Sequence, residues 1–186
     1  MISLSSLLTF FLSMFGYQPD KQLNDPKAKI LFDAVSKTYK GFSALKADFS
    51  LTTASPAQNK STTQTGTVYL KGEKYKIELG KQIIWCDKQS VWTYIKDINE
   101  VQINDYEANK EEITPSNMFT IYQNDFNYML NSDEELDKAS CSIVDLMPKD
   151  KSKPFFKVRI WIDKNANYIN RMKVFDKNGN KYTYKV

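Results

Sequence analysis

The sequence predicts a single α+β domain, mainly β, in which a large antiparallel sheet keeps one face apolar and needs something to cover it. Three observations predict this. Over residues 66–106, apolar or aromatic residues alternate with polar ones in short runs: Val68 and Leu70; Tyr75, Ile77 and Leu79; residues 83–86; Val91, Thr93 and Ile95 against Trp92 and Tyr94; then Val101 and Ile103. Period-two alternation broken by turn residues is the mark of antiparallel strands buried on one side. The chain has 186 residues, 41% of them hydrophobic, which suits one domain with a real core. Aromatic residues make up 13%, with 11 Tyr, 11 Phe and 3 Trp, a composition that favours strands.

Residues 2–15 form an apolar run followed by Gly16 and a polar stretch. The run is too short to span a bilayer and matches the apolar region of a secretory signal peptide, so residues 1–17 are expected to be an export signal. No Lys or Arg precedes the run, and an N-terminal amphipathic or buried helix is the competing reading. No Cys lies near its end to accept a lipid.

Asp25-Pro26 then opens a helix. Asp25 can cap free N–H groups, Pro26 suits the first helical position, and Ile30, Leu31, Ala34, Val35, Thr38 and Tyr39 give an apolar face. Gly41 stands where a C-terminal cap belongs. Leu45, Ala47, Phe49, Leu51 and Thr53 alternate with Lys46, Asp48, Ser50 and Thr52 as a half-buried strand. Residues 54–63, with Pro56, read as a loop, and the glycosylation-like triplet Asn59-Lys60-Ser61 reads as part of it.

After the strands of residues 66–106, the charged stretch 105–112 is loop-like. Thr114-Pro115-Ser116 looks like a second helix start, followed by Met118, Phe119, Ile121 and Tyr122, and later by Phe126, Tyr128, Met129 and Leu130. This segment is too apolar for a surface linker: it is either a core helix or a cover over a ligand, and flexible Met118 and Met129 would suit an adaptable cover. Asp133-Glu134-Glu135 reads as a solvated acidic loop without the paired spacing of acid/base chemistry.

Residues 141–147, 155–162 and 169–175 return to strands, and Asp176-Lys177-Asn178-Gly179 reads as a hairpin turn into 181–186. Residues 163–167 resemble the start of a calcium loop but lack its Gly at the sixth position and its Glu at the twelfth, where Val174 stands, so a turn is expected. Cys86 and Cys141 both fall within strand-like runs, which leaves a disulfide and two buried thiols as alternatives.

Composition also excludes chemistry. The chain has no His, which removes the commonest general base and the His-dependent nucleophile pairs and zinc sites. None of the glycine-rich phosphate cradles or nucleophile elbows is present. The net charge of +4 rests on Lys, the only arginines being Arg159 and Arg171. Lys74, Lys76 and Lys157 alternate with apolar residues along strands, which argues for a solvated sheet face and against a nucleic-acid partner.

Four stretches carry a family resemblance: residues 41–49 (Gly-Phe-Ser-Ala-Leu-Lys-Ala-Asp-Phe), 66–71 (Gly-Thr-Val-Tyr-Leu-Lys), 87–94 (Asp-Lys-Gln-Ser-Val-Trp-Thr-Tyr), and the later pair Ile162-Asp163 and Met172-Lys173-Val174. In order and spacing the sequence resembles the periplasmic lipoprotein carriers of the LolA/LolB type, from residue 25 onward. The resemblance implies an incomplete antiparallel β-barrel, a half-barrel, with helices covering an apolar cavity. It implies a carrier and not an enzyme, without cofactor or metal. Such a carrier would be a periplasmic monomer whose partners are acylated lipoproteins, an inner-membrane lipoprotein-releasing transporter and an outer-membrane acceptor. The domain would span residues 25–186 and lack the family's C-terminal strand. Where well-known members carry Arg-Pro after the strand matching 68–71, and the Arg helps hold the lid closed, this chain has Gly72-Glu73. That residue's role is not carried over.

On this reading the positions facing the acyl chain are Phe49, Leu51, Tyr75, Ile77, Leu79, Ile84, Val158 and Ile160 on the strands. Met118, Phe119, Ile121 and Tyr122 lie on the covering side. Each has a plain core role as its alternative, and a slip of register by one residue would invert a strand's set. A β-rich envelope sensor or protein-interaction module on the same scaffold is the rival reading. An exported carboxylate enzyme is disfavoured because no acid/base pair emerges.

Overall fold

The computed structural model describes residues 22–107, 113–120, 122 and 125–186. The expected export signal at 1–17 and the covering residue Ile121 lie outside the described residues. One α-helix, α1 (Pro26–Lys40), precedes the strands β1 (Leu45–Ser55), β2 (Lys60–Lys71), β3 (Lys74–Leu79), β4 (Gln82–Cys86), β5 (Ser90–Ile95) and β6 (Glu100–Asp105). The chain continues through β7 (Phe126–Leu130), β8 (Glu134–Leu136), β9 (Ala139–Pro148), β10 (Phe155–Asp163), β11 (Ile169–Asp176) and β12 (Lys181–Lys185). Among the described residues these form one open sheet in the order β6-β5-β4-β3-β2-β1-β12-β11-β10-β9-β7, with β8 paired to β9. Every pairing is antiparallel.

The capping expected at α1 is present at its start, where Asp25 Oδ1 accepts from the Lys27 backbone N–H at 2.8 Å. Gly41 closes the helix in a right-handed conformation, φ −71° and ψ −16°, so its glycine is not there for a left-handed cap. The buried face overlaps the expected one at Val35, with Leu31 and Tyr39 packed on the core, but takes Phe32 and leaves out Ile30. Ala28, Phe32, Val35 and Ser36 are buried, whereas Ile30 is 68% exposed. Ala28, Phe32, Val35 and Tyr39 fall on one helical stripe, and Ile30 lies off it.

Register decides the sheet's two faces. Phe49 stands opposite Gly66, Val68 opposite Ile77 and Ile77 opposite Ile84, so the apolar positions of β1 to β4 share one side, here called the inner face. Leu51 opposite Tyr184, Met172 opposite Tyr184 and Ile160 opposite Met172 carry that face across β12, β11 and β10. The two halves differ in cover. Under α1 the inner face of β9 to β11 is closed, with Val144, Val158 and Ile162 at 0% exposure. From β1 to β5 the inner face is mostly half-buried, Cys86 of β4 being buried.

Three segments differ from expectation. Residues 54–63 are a tight hairpin and no open loop: Pro56–Gln58 make one 3-10 turn, Asn59 takes φ 47°, ψ 41°, and Ser55 pairs with Lys60. Asn tolerates that left-handed conformation better than most residues. Residues 126–130 are strand β7, paired to β9, in place of a helix continuation. Glu134 and Glu135 form the short strand β8, in which Glu134 accepts from the Trp161 indole N–H at 2.9 Å. Asp133 holds Lys164 and Ser142. The acidic stretch is thus structural. Cys86 and Cys141 are both buried and free, Cys86 on the inner face of β4 and Cys141 on the outer face of β9.

Candidate functional site

The half-covered part of the inner face forms an apolar pocket of about 200 Å³. Leu45, Phe49, Val68, Leu70 and Ile77 of β1 to β3 make its floor, and Met172, Val174 and Tyr184 of β11 and β12 its side wall. Segment 113–120 lies over it, contributing Ile113, Pro115, Met118 and Phe119. That segment is a series of turns and not the α-helix expected from Thr114-Pro115-Ser116. Asn117 Oδ1 accepts from the Thr114 backbone N–H at 2.8 Å, and the Met118 N–H returns to the Thr114 carbonyl at 3.0 Å. This Asx-type arrangement offers the backbone an alternative to continuing helically.

Aromatic rings fasten the cover to α1. Phe119 stacks on Tyr39, and Tyr122 stacks on Phe32 with ring centroids 4.5 Å apart and 14° between planes. The Tyr122 hydroxyl donates to Asp33 Oδ1 at 2.9 Å. Lys29 and then Tyr122 hold the Asp33 carboxyl below its ordinary range through hydrogen bonds. Phe42 and Tyr168 extend the ring cluster outward from Tyr39.

Among the described residues, no Lys, Arg, Asp or Glu lines the pocket. Burial pushes the Tyr184 phenol up, as it does Tyr39 against a lowering backbone hydrogen bond with Ile169, so both stay neutral at pH 7. Such a pocket can hold apolar chains by excluding water and offers nothing for acid/base work. Among the described residues no three Cys, Asp or Glu side chains converge as a metal site would require.

The expected site residues divide into groups. Phe49, Ile77, Met118 and Phe119 line the pocket. Leu51, Tyr75, Leu79 and Ile84 share its face on flanking positions. Tyr122 is buried against α1, and Val158 and Ile160 belong to the closed core. Leu45, Val68, Leu70, Met172, Val174 and Tyr184 were not expected at the site. The first three lie in alternating runs visible in the sequence, whereas the wall depends on β12 pairing with β1 across most of the chain, which no local pattern announces. The Gly72-Glu73 pair forms the β2–β3 turn, with Gly72 at φ 58° and Glu73 ion-paired to Lys88.

The chain matches the family described as outer membrane lipoprotein carrier protein LolA over residues 40–186. No curated protein sequence matches it. Among solved structures it is similar to the lipoprotein LppX of Mycobacterium tuberculosis, at 10% identity and TM-score 0.53, covering 87% of this chain and 93% of that one. A DUF1329 family protein from Desulfovibrio piger is similar at 12% identity and TM-score 0.48, covering 84% and 90%. A putative outer membrane lipoprotein-sorting protein domain from Vibrio parahaemolyticus is similar at 11% identity and TM-score 0.45, covering 85% and 90%. The likeness to LppX shows a shared fold.

Proposed function

We propose, because the chain belongs to the LolA family of outer membrane lipoprotein carrier proteins, that its inner-face pocket shields the acyl chains of lipoproteins outside the cytoplasm while they pass from the inner to the outer membrane. The observation that carries this reading is the apolar pocket between a half-buried sheet face and a segment fastened by stacked rings. Each methylene kept from water is worth about 0.8 kcal/mol, so one long acyl chain costs on the order of 10 kcal/mol to expose. A carrier must offset that cost and still release its load. A cover held by stacked rings and one Tyr122–Asp33 hydrogen bond, with no ion pair in the lining among the described residues, can open at modest cost.

On this proposal Phe49, Ile77, Met118 and Phe119 touch the acyl chain, and Leu51, Tyr75, Leu79 and Ile84 receive its further length as the cover lifts. Ile121 and Tyr122 belong to the cover, and Val158 and Ile160 back it from the core. The protein works without cofactor or catalysis, as a monomer, loaded by an inner-membrane releasing transporter and unloaded at an outer-membrane acceptor.

Native mass spectrometry with an acylated peptide and its deacylated twin tests the reading. One-to-one binding of the acylated form alone is expected. Equal binding of both peptides, or of neither, would overturn it and leave a protein-interaction module on the same scaffold.

A further inference from the structure

The outer face of β10, β11 and β12 gathers cations that the sequence scatters. Three cross-strand rows cross it: Lys157–Phe175–Lys181, Arg159–Lys173–Thr183 and Trp161–Arg171–Lys185. Six of these nine positions are Lys or Arg, and both arginines of the chain are among them. Lys173 stands directly opposite Arg159 and Arg171 directly opposite Lys185, placements that cost stability in a sheet. Asp145 neutralises Arg159 in a two-pronged pair at 2.6 and 2.8 Å, and Asp137 lies 3.2 Å from Lys185 and 3.9 Å from Arg171. Among the described residues, Lys157, Lys173 and Lys181 have no carboxylate within ion-pair reach. Burial and then Lys181, Arg171 and Arg159 push the Lys173 ammonium down, against a smaller opposing effect of Glu134.

Aromatic rings stand among these cations. A β-bulge between Phe155 and Lys157 leaves Phe155 packed inward on Phe126 and brings Phe156, 51% exposed, beside Phe175 with ring centroids 6.2 Å apart. Bulges re-aim side chains in this way. Lys157 lies 4.4 Å from the Phe175 ring centre. Past β12 the rows run into Ala54, Thr52 and Ser50 of β1, small residues that raise no wall.

We propose that this outer face docks the protein peripherally on an anionic phospholipid bilayer. The lysines supply attraction to the charged headgroups, and Phe156, which has no polar atom to satisfy, enters the boundary between headgroups and acyl chains. A broad charged face whose rows continue onto small residues suits a flat bilayer better than a peptide, which would need a walled groove or an exposed sheet edge. The inference does not rest on the pocket or its cargo.

Co-sedimentation of the full chain with phosphatidylcholine vesicles, with and without phosphatidylglycerol, tests it. Binding is expected to the phosphatidylglycerol vesicles, to fall steeply as salt is raised, and to exceed binding to neutral vesicles, which measures any contribution of the apolar run at 2–15. The variant Lys157→Gln/Lys173→Gln/Lys181→Gln should bind about a hundredfold more weakly. Lys27→Gln/Lys37→Gln/Lys40→Gln on α1, which loses the same charge, should bind as the unaltered protein does. Circular dichroism checks that both fold, and the salt dependence needs no variant. Equal binding to both vesicle types, salt-independent binding, or equal loss in the two variants would overturn the proposal. So would binding to a soluble acidic polypeptide, read by pull-down, with none to either vesicle type.

Discussion

Tyr39 and Phe119 lie face to face, their ring centroids 3.5 Å apart and their planes 14° from parallel. This stack joins the last turn of α1 to the segment over the pocket, whose residues 113–120 include no charged side chain to form an ion pair there. An aromatic pair of this kind contributes about 1 kcal/mol beyond the area it buries. Phe119→Ala should therefore release the cover while leaving the closed core intact. Amide hydrogen exchange is expected to quicken at 113–120 and near Tyr39, with protection in β9 to β11 unchanged. Unaltered exchange at 113–120 would show that the stack does not hold it.

Ile77 and Ile160 share the inner face but stand in different surroundings, one in the pocket floor and one at 2% exposure in the core. Ile160→Ala should cost about 2–5 kcal/mol, as buried truncations do. Ile77→Ala borders space already open and should cost roughly 1 kcal/mol, below the range for core positions. Its main effect should fall on acyl-peptide affinity. Thermal melts and peptide titrations on both variants separate the roles, and equal destabilisation would erase the distinction between pocket and core.

The contrast between these residues also shows what was legible in the sequence. Alternation put Phe49, Ile77 and Ile84 on one face, and the register agrees, because period two is a local property of an extended chain. The cover of that face is a tertiary matter. Val158 and Ile77 look alike in sequence, yet α1 closes one half of the sheet and not the other. Helical spacing placed Val35, Leu31 and Tyr39 of α1 but took Ile30 for Phe32, since Phe32 is followed by Asp33 and the competing Ile30-Leu31 pair is as apolar. At 126–130, pairing with β9 overrode a pattern short enough to suit either structure.

Asp33 gives the cover a dependence on acid. Its carboxyl is held below the ordinary range first by Lys29 and then by Tyr122, so its folded pKa is lower than its unfolded one. The contribution is complete above the unfolded value, about 4, and is lost as pH falls through the folded value. Both groups are solvent-facing enough that the effect is modest. Tyr122→Phe keeps the stack on Phe32 but removes one donor, so the folded pKa of Asp33 should rise. Titrating Asp33 by carbon-13 NMR in both proteins checks this, and an unchanged midpoint would remove Tyr122 from the account.

Gly66 is a glycine for reasons of space. Its φ is not positive, unlike those of Gly72, Gly80 and Gly179, so conformation does not demand it. It lies in β2 between Phe49 and Leu79, and a Cβ there would run into the backbone carbonyl of Glu78 and come within 2.9 Å of Phe49 Cζ. The carbonyl belongs to the β3 ladder, so relieving that contact means shifting the β2–β3 pairing locally, and the Phe49 ring has to give way as well. That ring has Tyr184 on its other side, with centroids 6.5 Å apart, and the pocket beneath it. Gly66→Ala should therefore cost about 1–3 kcal/mol, as overpacking does, and push Phe49 into the volume an acyl chain would use. Melting should fall by several degrees, and acyl-peptide affinity should fall with it. Phe49→Leu, a smaller side chain at the same place, should recover part of the loss caused by Gly66→Ala. The two changes together should then be less harmful than their sum by more than the roughly 0.5 kcal/mol expected of independent sites. Strict additivity in the double-mutant cycle would mean that the ring does not rest on the glycine, and that the floor of the pocket is set elsewhere.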